Sequence, residues 1–302
     1  MLYLPKGLPA VELLKNEAVA VKEYNRGEVG HLQTQSEGDV LRILFLNLMP
    51  QKLVTELDIA RMMAHSSLSV QLIPMKISGQ SYKTTPMQHM VDFYTDFEDL
   101  EAGNYDGMIL TGAPIEHLPF EEVRYWHQLC HIMHWAETHV RSSLYICWGA
   151  QAGLQYHFGI PKYQIPAKMF GIYQQKVLVE GLPLLYGLSP EFPMPNSRHT
   201  EVRREDFPKK DHLQIVAENE VSGVGLAIAN DGREIYIVGH LEYEPNTLKN
   251  EYERDINKGL TIAKPKHYFV DDDPDKGVDF SWKSAAKTFY ANWLEYYCCL
   301  NK

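Results

Sequence analysis

Between residues 40 and 158 the chain alternates short apolar runs with longer segments in which apolar residues recur every three or four positions. The short runs are typical of strands that are buried on both faces, and the longer segments predict amphipathic helices. The predicted strands cover residues 40–48, 68–77, 105–112 and 142–147, and the predicted helices cover 52–65, 121–140 and 148–158. This alternation predicts an α/β fold with a mostly parallel central sheet flanked by helices.

The second half of the chain has a different pattern. Short apolar runs predict strands near Val177 and over residues 213–217, 224–229 and 234–238, and helical spacing returns over 247–259 and 284–300. The first 39 residues are mixed and polar, which predicts an extended N-terminal arm over the folded body. No linker-like stretch divides the remainder, so we expect residues 1–39 to form the arm and residues 40–302 to form a single α/β domain.

Composition narrows the function classes. Hydrophobic residues make up 45% of the 302 residues and charged residues 23%, as in an ordinary globular protein. The formal charge of −10 disfavours nucleic-acid binding, and no apolar run approaches the roughly 20 residues that span a bilayer. Four cysteines at irregular spacing do not make a disulfide framework, which favours the cytoplasm as the compartment.

Cys147 is the first candidate for chemistry, because it ends a predicted strand where small residues open a helix. Such a turn presents a nucleophile at the carboxyl edge of a sheet. The positive end of the helix would stabilise a thiolate, and the backbone N–H of Trp148 would meet an oxyanion on the attacked carbonyl. The alternative is a buried core thiol, since cysteine is among the residues most often buried.

His240 and Glu242 follow another predicted strand and a glycine. In extended backbone, residues two apart project to the same side, so the carboxylate could bind one ring nitrogen and raise the basicity of the other. A His-x-Glu pair is a weak signal alone, and many loop histidines are simply solvated. Together with Cys147 it completes a set of nucleophile, base and orienting carboxylate.

Metal and nucleotide sites are not predicted. His127, Cys130, His131 and His134 lie at helical spacing, but Cys130 belongs to the apolar face and the residues between them suggest a solvated side. The acidic run 271–275 lacks the glycine and distal glutamate of a calcium loop, so it predicts a hydrated turn. No glycine-rich phosphate loop of either common spacing occurs, and we expect no permanently bound cofactor.

Five segments together resemble the homoserine O-acyltransferase family of methionine biosynthesis. They are ILFLNLMPQKLVTELDIARMM, YDGMILTGAPIEHLPFEEVRYW, SSLYICWGAQAGLQYHFGIPKY, NSRHTEVR and IVGHLEYEPNTLKNEYERD. The resemblance implies a fold similar to class I glutamine amidotransferases, with the same order of Cys, His and Glu. Those enzymes usually carry a glycine where this chain has Tyr145 and a proline where it has Leu241.

The resemblance also implies roles for individual residues. Cys147 matches the acyl-accepting nucleophile, His240 the general base and Glu242 its partner. The family's substrate-binding positions are matched by Lys168, Ser197 and Arg254, of which Arg254 is suited to grip a carboxylate with two bonds. Lys52 matches a lysine that is regular in the family, but no specific role follows for it. A homodimer is implied as well.

Glu116 bears on the acyl donor. The resemblance implies that glutamate here accompanies acetyl-CoA, whereas glycine accompanies succinyl-CoA, and a glutamate would repel the terminal carboxylate of a succinyl group. The sequence therefore predicts acetyl transfer from the co-substrate acetyl-CoA to L-homoserine through an acetyl-cysteine. The alternatives are serine O-acetylation, use of succinyl-CoA, glutamine amide hydrolysis, and a non-catalytic binding protein.

Overall fold

The computed structural model describes residues 1–28, 40–208 and 212–299. Its strands are β1 (Leu2–Pro5), β2 (Val21–Tyr24), β3 (Leu41–Leu46), β4 (Val70–Lys76), β5 (Thr95–Asp96), β6 (Tyr105–Leu110), β7 (Val140–Ile146), β8 (Tyr163–Val177), β9 (Glu191–Glu201), β10 (Leu213–Asn219), β11 (Gly223–Ala229) and β12 (Glu234–Ile237). Its α-helices are α1 (Pro9–Asn16), α2 (Lys52–Ala64), α3 (Met87–Phe93), α4 (Trp126–His139), α5 (Trp148–Phe158), α6 (Thr247–Asn257) and α7 (Lys283–Trp293).

The strands form one sheet that is parallel over its larger part. The order is β2-β1-β4-β3-β6-β7-β12-β11-β10-β8-β9, with β5 beside the end of β4. Pairing is parallel from β2 through β12 and antiparallel from β12 through β9. The carboxyl ends of β6, β7 and β12 therefore lie side by side at one edge, which is where ligands bind in open α/β sheets.

Strand β3 shows why the sheet is covered on both faces. Ile43 and Phe45 pack into the core beneath α1, α2 and α7, whereas Leu44 and Leu46 pack into the core beneath α4 and α5. Successive side chains of a strand project to opposite faces, so an unbroken apolar run supplies both cores. The α/β prediction with a mostly parallel sheet flanked by helices is confirmed.

The N-terminal arm is where the structure differs most from the sequence prediction. Residues 2–24 form β1, α1 and β2, which extend the parallel sheet at its edge. Val70 donates its backbone N–H to Met1 O at 2.8 Å, and Leu4 and Leu14 are completely buried. Over its described part the segment is thus integral to the fold, because its few apolar side chains complete the core; residues 29–39 of the predicted arm lie outside the described residues.

Two other predictions change at their boundaries. The predicted helix over 121–140 begins only at Trp126, after a short 3₁₀ turn (Phe120–Glu122), and Val140 already belongs to β7. The predicted helix over 284–300 is α7 followed by a wider π-helical turn, Leu294–Cys298. The long hairpin of β8 and β9, which carries part of the site, was foreseen only at Val177.

Candidate active site

A cavity of about 510 Å³ lies at the carboxyl edge of the sheet, where β6, β7 and β12 end. Its walls include six of the residues that the sequence singled out: Glu116, Cys147, Lys168, Ser197, His240 and Arg254. They come from six different strands, helices and loops, so the fold brings the predicted nucleophile, base and acceptor-binding side chains to one space. A volume of this size suits a small-molecule substrate.

Cys147 occupies the turn between β7 and α5. Its φ of 54° and ψ of −116° are a conformation that non-glycine residues rarely adopt. The backbone is held there because Cys147 N–H donates to Ile237 O at 2.7 Å while its carbonyl accepts from Gln151 N–H at 3.1 Å. The side chain is only 6% exposed, yet it forms part of the cavity wall, which a sealed core thiol would not do.

The turn is held by two glycines that let backbone segments approach. A Cβ on Gly149 would lie 2.7 Å from the carbonyl oxygens of Leu110 and Thr111, and a Cβ on Gly112 would lie 3.3 Å from Cys147 Cβ. Real Cβ atoms do not approach other atoms as closely as 2.7 Å, so position 149 requires glycine for α5 to pack on the end of β6. The N-terminus of α5, with its partial positive charge, is thereby kept at the cavity.

Trp148 is the first residue of α5, so its backbone N–H has no carbonyl one turn earlier in the helix to bind. It follows Cys147 directly, which is the placement expected of an oxyanion donor. The indole is completely buried and packs near Phe120 and Tyr125, with ring centroids 5.8 and 6.5 Å away. A large side chain anchored in the core keeps the start of the helix in place.

The imidazole of His240 contacts both Cys147 and the carboxylate of Glu242. Its Nδ1 is 2.6 Å from Glu242 Oε1, its backbone N–H donates to Pro195 O at 2.9 Å, and the Tyr243 ring stacks on the imidazole at 3.9 Å between centroids. Burial lowers the pKa of His240, but the charges of Cys147 and Glu242 and hydrogen bonds to both side chains raise it well above its ordinary value. These contacts favour the protonated imidazole.

The three predicted acceptor-binding residues meet at a carboxylate that the sequence did not single out. Glu251 binds Lys168 Nζ at 2.7 Å with one oxygen and accepts from Ser197 Oγ at 2.8 Å with the other, while Arg254 Nη2 lies 3.5 Å away. Arg254 Nη2 also contacts Asp255 Oδ1 at 2.7 Å. The available signal was the i, i+3 spacing of Glu251 and Arg254 on the predicted helix over 247–259.

Glu116 is fixed at the cavity wall by contacts on both its side chain and its backbone. Its carboxylate accepts the backbone N–H of His199 on β9. Its carbonyl oxygen accepts from Lys162 Nζ at 2.6 Å and from Gln164 Nε2 at 3.1 Å. The loop after β6 is therefore tied to the β8–β9 hairpin, and the negative charge of Glu116 has a defined position in the cavity.

Lys52 stabilises the loop that precedes α2. Its buried ammonium donates to Asn47 O at 2.6 Å and to Met49 O at 2.9 Å. Burial lowers its pKa to about 8, although the nearby Glu56 charge acts in the opposite direction. Met49 and the two residues after it line the cavity, so Lys52 holds a part of the wall in shape.

The cluster of His127, Cys130, His131 and His134 is not assembled as a metal site. His131 Nε2 contacts Glu101 Oε1 at 3.0 Å, and His134 Nδ1 contacts Glu137 Oε2 at 3.4 Å. Within the described ranges, no group of three or more His, Cys, Asp or Glu side chains is placed to hold a metal ion. In the same part of the chain, no helix combines the length and apolar character needed to cross a bilayer.

Solved structures with the same fold include two glutamine amidotransferases. The one from Thermotoga maritima aligns with a TM-score of 0.55 at 16% identity, covering 86% of this chain and 99% of that chain. The one from Methylobacillus flagellatus aligns with a TM-score of 0.53 at 11% identity, covering 84% of this chain and 94% of that chain. At such identities the likeness shows the fold alone, and it confirms the amidotransferase-like architecture.

Curated relatives match nearly the whole chain. A homoserine O-acetyltransferase of Bacteroides fragilis is 48% identical over 98% of this chain and 95% of that protein, and one of Parabacteroides distasonis is 48% identical over 98% and 94%. A homoserine O-acetyltransferase of a Geobacillus species is 45% identical over 97% and 95%. The sequence model of the family described as HTS, homoserine O-succinyltransferase, matches residues 1–302. The chain therefore belongs to the homoserine O-succinyltransferase family of acyltransferase enzymes.

Proposed function

We propose that this protein is a homoserine O-acetyltransferase that moves acetyl from acetyl-CoA to the side-chain hydroxyl of L-homoserine. The observation that carries the proposal is the placement of Cys147 and His240 in the wall of one cavity, with Glu242 2.6 Å from the imidazole. The names of the curated relatives support homoserine as acceptor and acetyl as the group transferred.

The first half-reaction acylates the enzyme. The Cys147 thiolate attacks the thioester carbonyl of acetyl-CoA, and the resulting oxyanion is stabilised by the Trp148 N–H and the positive end of α5. When the intermediate collapses, the bond to the CoA sulfur breaks and the imidazolium of His240 protonates that sulfur. Free CoA leaves, and an acetyl thioester remains on Cys147.

The second half-reaction needs His240 as a base. Acylation removes the charge on the Cys147 sulfur, which is one of the causes that raise the pKa of His240 in the free enzyme. The neutral imidazole then accepts the hydroxyl proton of homoserine while the oxygen attacks the acetyl carbonyl. Collapse releases the Cys147 thiolate and the O-acetyl product. Two moderate barriers replace one high barrier, so the kinetics are ping-pong.

The acceptor binds through its charged end. Arg254 is the group suited to the α-carboxylate, because its side chain is 46% exposed and lies at the cavity wall. Lys168 and Ser197 lie on the paired strands β8 and β9 and share the Glu251 carboxylate with Arg254. A substrate carboxylate that binds beside these residues would compete with Glu251 for Lys168 and Arg254. This competition favours an acceptor whose anionic group has the size to fit between these side chains.

Glu116 determines the donor in this proposal. At an effective dielectric constant of about 20, two unit charges about 4 Å apart repel by about 4 kcal/mol, so a succinyl carboxylate is disfavoured beside it. We expect Glu116→Gly to improve kcat/KM for succinyl-CoA by about tenfold or more. The matched variant Glu116→Gln keeps an oxygen for the His199 N–H but removes the charge. Competition between the two donors measures both, and an unchanged preference in both variants would contradict a role for this residue.

Intact-mass spectrometry tests the whole reaction. The protein mixed with acetyl-CoA is expected to gain one acetyl group at Cys147, and this mass is expected to disappear on addition of homoserine. If the acetyl group leaves on addition of serine and not on addition of homoserine, serine is the acceptor. Failure of Cys147 to become acetylated would refute the covalent route, and release of ammonia from glutamine would indicate an amidohydrolase.

Two further proposals concern the oligomeric state of the protein and its cellular compartment. The family resemblance leads us to propose a homodimer, and the free cysteines (Cys130, Cys147, Cys298 and Cys299) are consistent with the reducing cytoplasm as its compartment. Analytical ultracentrifugation gives the oligomeric state directly, and a monomer at working concentration would contradict the first proposal.

A further inference from the structure

An amino-acid acceptor carries a positive charge as well as a negative one, so the cavity also needs an anionic partner for the ammonium group. Among the described residues, four carboxyl side chains line the cavity: Asp58, Glu116, Glu251 and Asp255. Three of them are already bound by this chain. Glu116 accepts the His199 N–H, Glu251 holds Lys168 and Ser197, and Asp255 contacts Arg254.

Asp58 differs from these three. It lies on α2, its side chain is only 6% exposed, and it forms part of the cavity wall. Within the described residues, the structure gives its carboxyl no hydrogen bond, and its one ion-pair contact is Arg61 Nη1 at 3.8 Å, beyond hydrogen-bond distance. A buried carboxyl without such partners is costly unless a ligand supplies them.

The surroundings of Asp58 are predominantly negative. Burial, which is the largest cause, and the charges of Glu242 and Glu244 together raise the pKa of Asp58 to about 8, although Arg61 and His240 act in the opposite direction. Arg61 is shared with Glu17, since its Nε donates to Glu17 Oε2 at 2.9 Å. Arg61, which contacts Asp58, is therefore already paired with Glu17, and the site around the Asp58 carboxyl favours an added positive charge.

We propose that Asp58 binds the ammonium group of the amino-acid acceptor. The assignment rests on the proposed function, because it takes the acceptor to be an α-amino acid. Asp58 on α2 and Arg254 on α6 then hold the two charged ends of the zwitterion, and the side-chain hydroxyl is left for Cys147 and His240. Ammonium binding favours the Asp58 carboxylate, so any proton on it passes to solvent.

The test compares homoserine with 4-hydroxybutanoate, which has the same hydroxyl and carboxylate but no ammonium. Acetyl-enzyme is prepared with acetyl-CoA, and its decay with each acceptor is followed by intact mass. In Asp58→Asn we expect decay with homoserine to slow about 10- to 100-fold, because a charged partner is lost. Decay with 4-hydroxybutanoate and the rate of acetylation are expected to stay within about twofold.

Glu234→Gln is the matched control, since Glu234 is also a buried carboxyl but lies on β12 and accepts from Asn230 Nδ2 at 2.8 Å. It is expected to leave the preference for homoserine unchanged. Equal slowing with both acceptors in Asp58→Asn, or no slowing with either, would overturn the assignment. If Asp58→Asn does not fold, Asp58→Glu is used in its place, because it keeps the charge and displaces it by one methylene. A lower ratio of the decay rate with homoserine to that with 4-hydroxybutanoate supports the assignment, and an unchanged ratio overturns it.

The two proposals fail in different ways. If the wild-type protein is not acetylated, or its acetyl group does not leave with homoserine, the proposed function is wrong. If the wild-type protein performs both steps and the acceptor preference is the same in Asp58→Asn, only the assignment of Asp58 is wrong.

Discussion

At the scale of single residues, the proposed reactivity of Cys147 depends on the charge state of His240. The imidazole contacts Glu242 at 2.6 Å, and the second carboxylate oxygen of Glu242 is buried without a hydrogen-bond partner in the described structure. A carboxylate in this position has its largest electrostatic effect on the imidazole, because little solvent screens it. Glu242 therefore widens the pH range over which the imidazole of His240 carries its proton.

Glu242→Gln tests this dependence. Removing the carboxylate charge lowers the pKa of His240 from its raised value, so the imidazolium is lost at a lower pH and the charged pair is less populated near pH 7. We expect alkylation of Cys147 by iodoacetamide at pH 7 to slow about tenfold or more, because a weaker imidazolium partner stabilises the reactive thiolate less. The rate measured from pH 5 to pH 10 checks this, and superimposable profiles would exclude an electrostatic role for Glu242.

The sequence could identify some site residues and not others, for a physical reason. Cys147, His240 and Glu242 follow apolar strands, and strand ends in a parallel sheet converge at one edge, so their chemistry could be predicted together. Asp58 and Glu251 lie within helices, where carboxylates are ordinary surface residues. Only the packing of α2 and α6 around the cavity shows that these two face the site.

At the scale of elements, the N-terminus of α5 has to sit close against the end of β6. This contact exists because Gly149 has no side chain, and a Cβ there would lie 2.6 Å from Leu110 Cδ2 as well as 2.7 Å from two carbonyl oxygens. Backbone atoms cannot move aside as a flexible side chain can. A methyl group at this position would therefore displace the helix start that carries Cys147 and the Trp148 N–H.

We expect Gly149→Ala to lower the rate of acetylation by about 100-fold, because a displacement of about 1 Å at a reacting group has an effect of this size. Intact-mass spectrometry of samples quenched at successive times after mixing with acetyl-CoA gives the rate of acetylation, and thermal unfolding shows whether the fold persists. Gly159→Asn in the same helix is the control, since Gly159 is a left-handed C-terminal position with open space around it, and asparagine tolerates that conformation. Equal activity of both variants would show that the close contact at position 149 is not required.

The β8–β9 hairpin shows where element prediction from sequence fails. Phe170 pairs with Ser197 and Met169 with Arg198, but the register shifts between Gln164 and Met169. A bulge of this kind breaks the period of two on which strand prediction depends. At Gly171, with φ 137°, the segment before α7 crosses so closely that Lys266 N donates to Phe170 O at 3.0 Å. Lys168 and Ser197 therefore become neighbours through geometry that no local pattern encodes.

At the scale of the whole molecule, the site depends on strand order. Cys147 follows β7 and His240 follows β12, and these strands are adjacent and parallel, with Leu144 opposite Ile235 and Ile146 opposite Ile237. The alternation of strands and helices along the sequence predicted a parallel sheet, but it did not predict which strands are neighbours in that sheet. The order follows from packing of both sheet faces at once, and pairwise sequence patterns do not contain that information.

The last prediction concerns the N-terminal segment. An arm over the folded body would be dispensable for stability, whereas a segment that forms part of the sheet is not. Leu2, Leu4, Leu8, Val11 and Leu14 are buried from the first strand through the first helix. Each contributes about 1.5–3 kcal/mol, so together they are comparable with the entire stability of about 5–15 kcal/mol that a domain of this kind has. Deletion of residues 1–24 also uncovers the edge of β4, a template for aggregation.

We therefore expect the protein that lacks residues 1–24 to aggregate. Two single substitutions in the same segment measure its contribution to stability. Leu4→Ala is expected to lower the free energy of unfolding by about 2–5 kcal/mol, since Leu4 is completely buried. Leu13→Ala lies in the same segment with a 48% exposed side chain and is expected to stay within about 0.5 kcal/mol of the wild type. Denaturant titration of both variants measures the difference. A cooperative transition in the deleted protein, or equal midpoints for the two leucine variants, would mean that the sheet is stable without its first two strands.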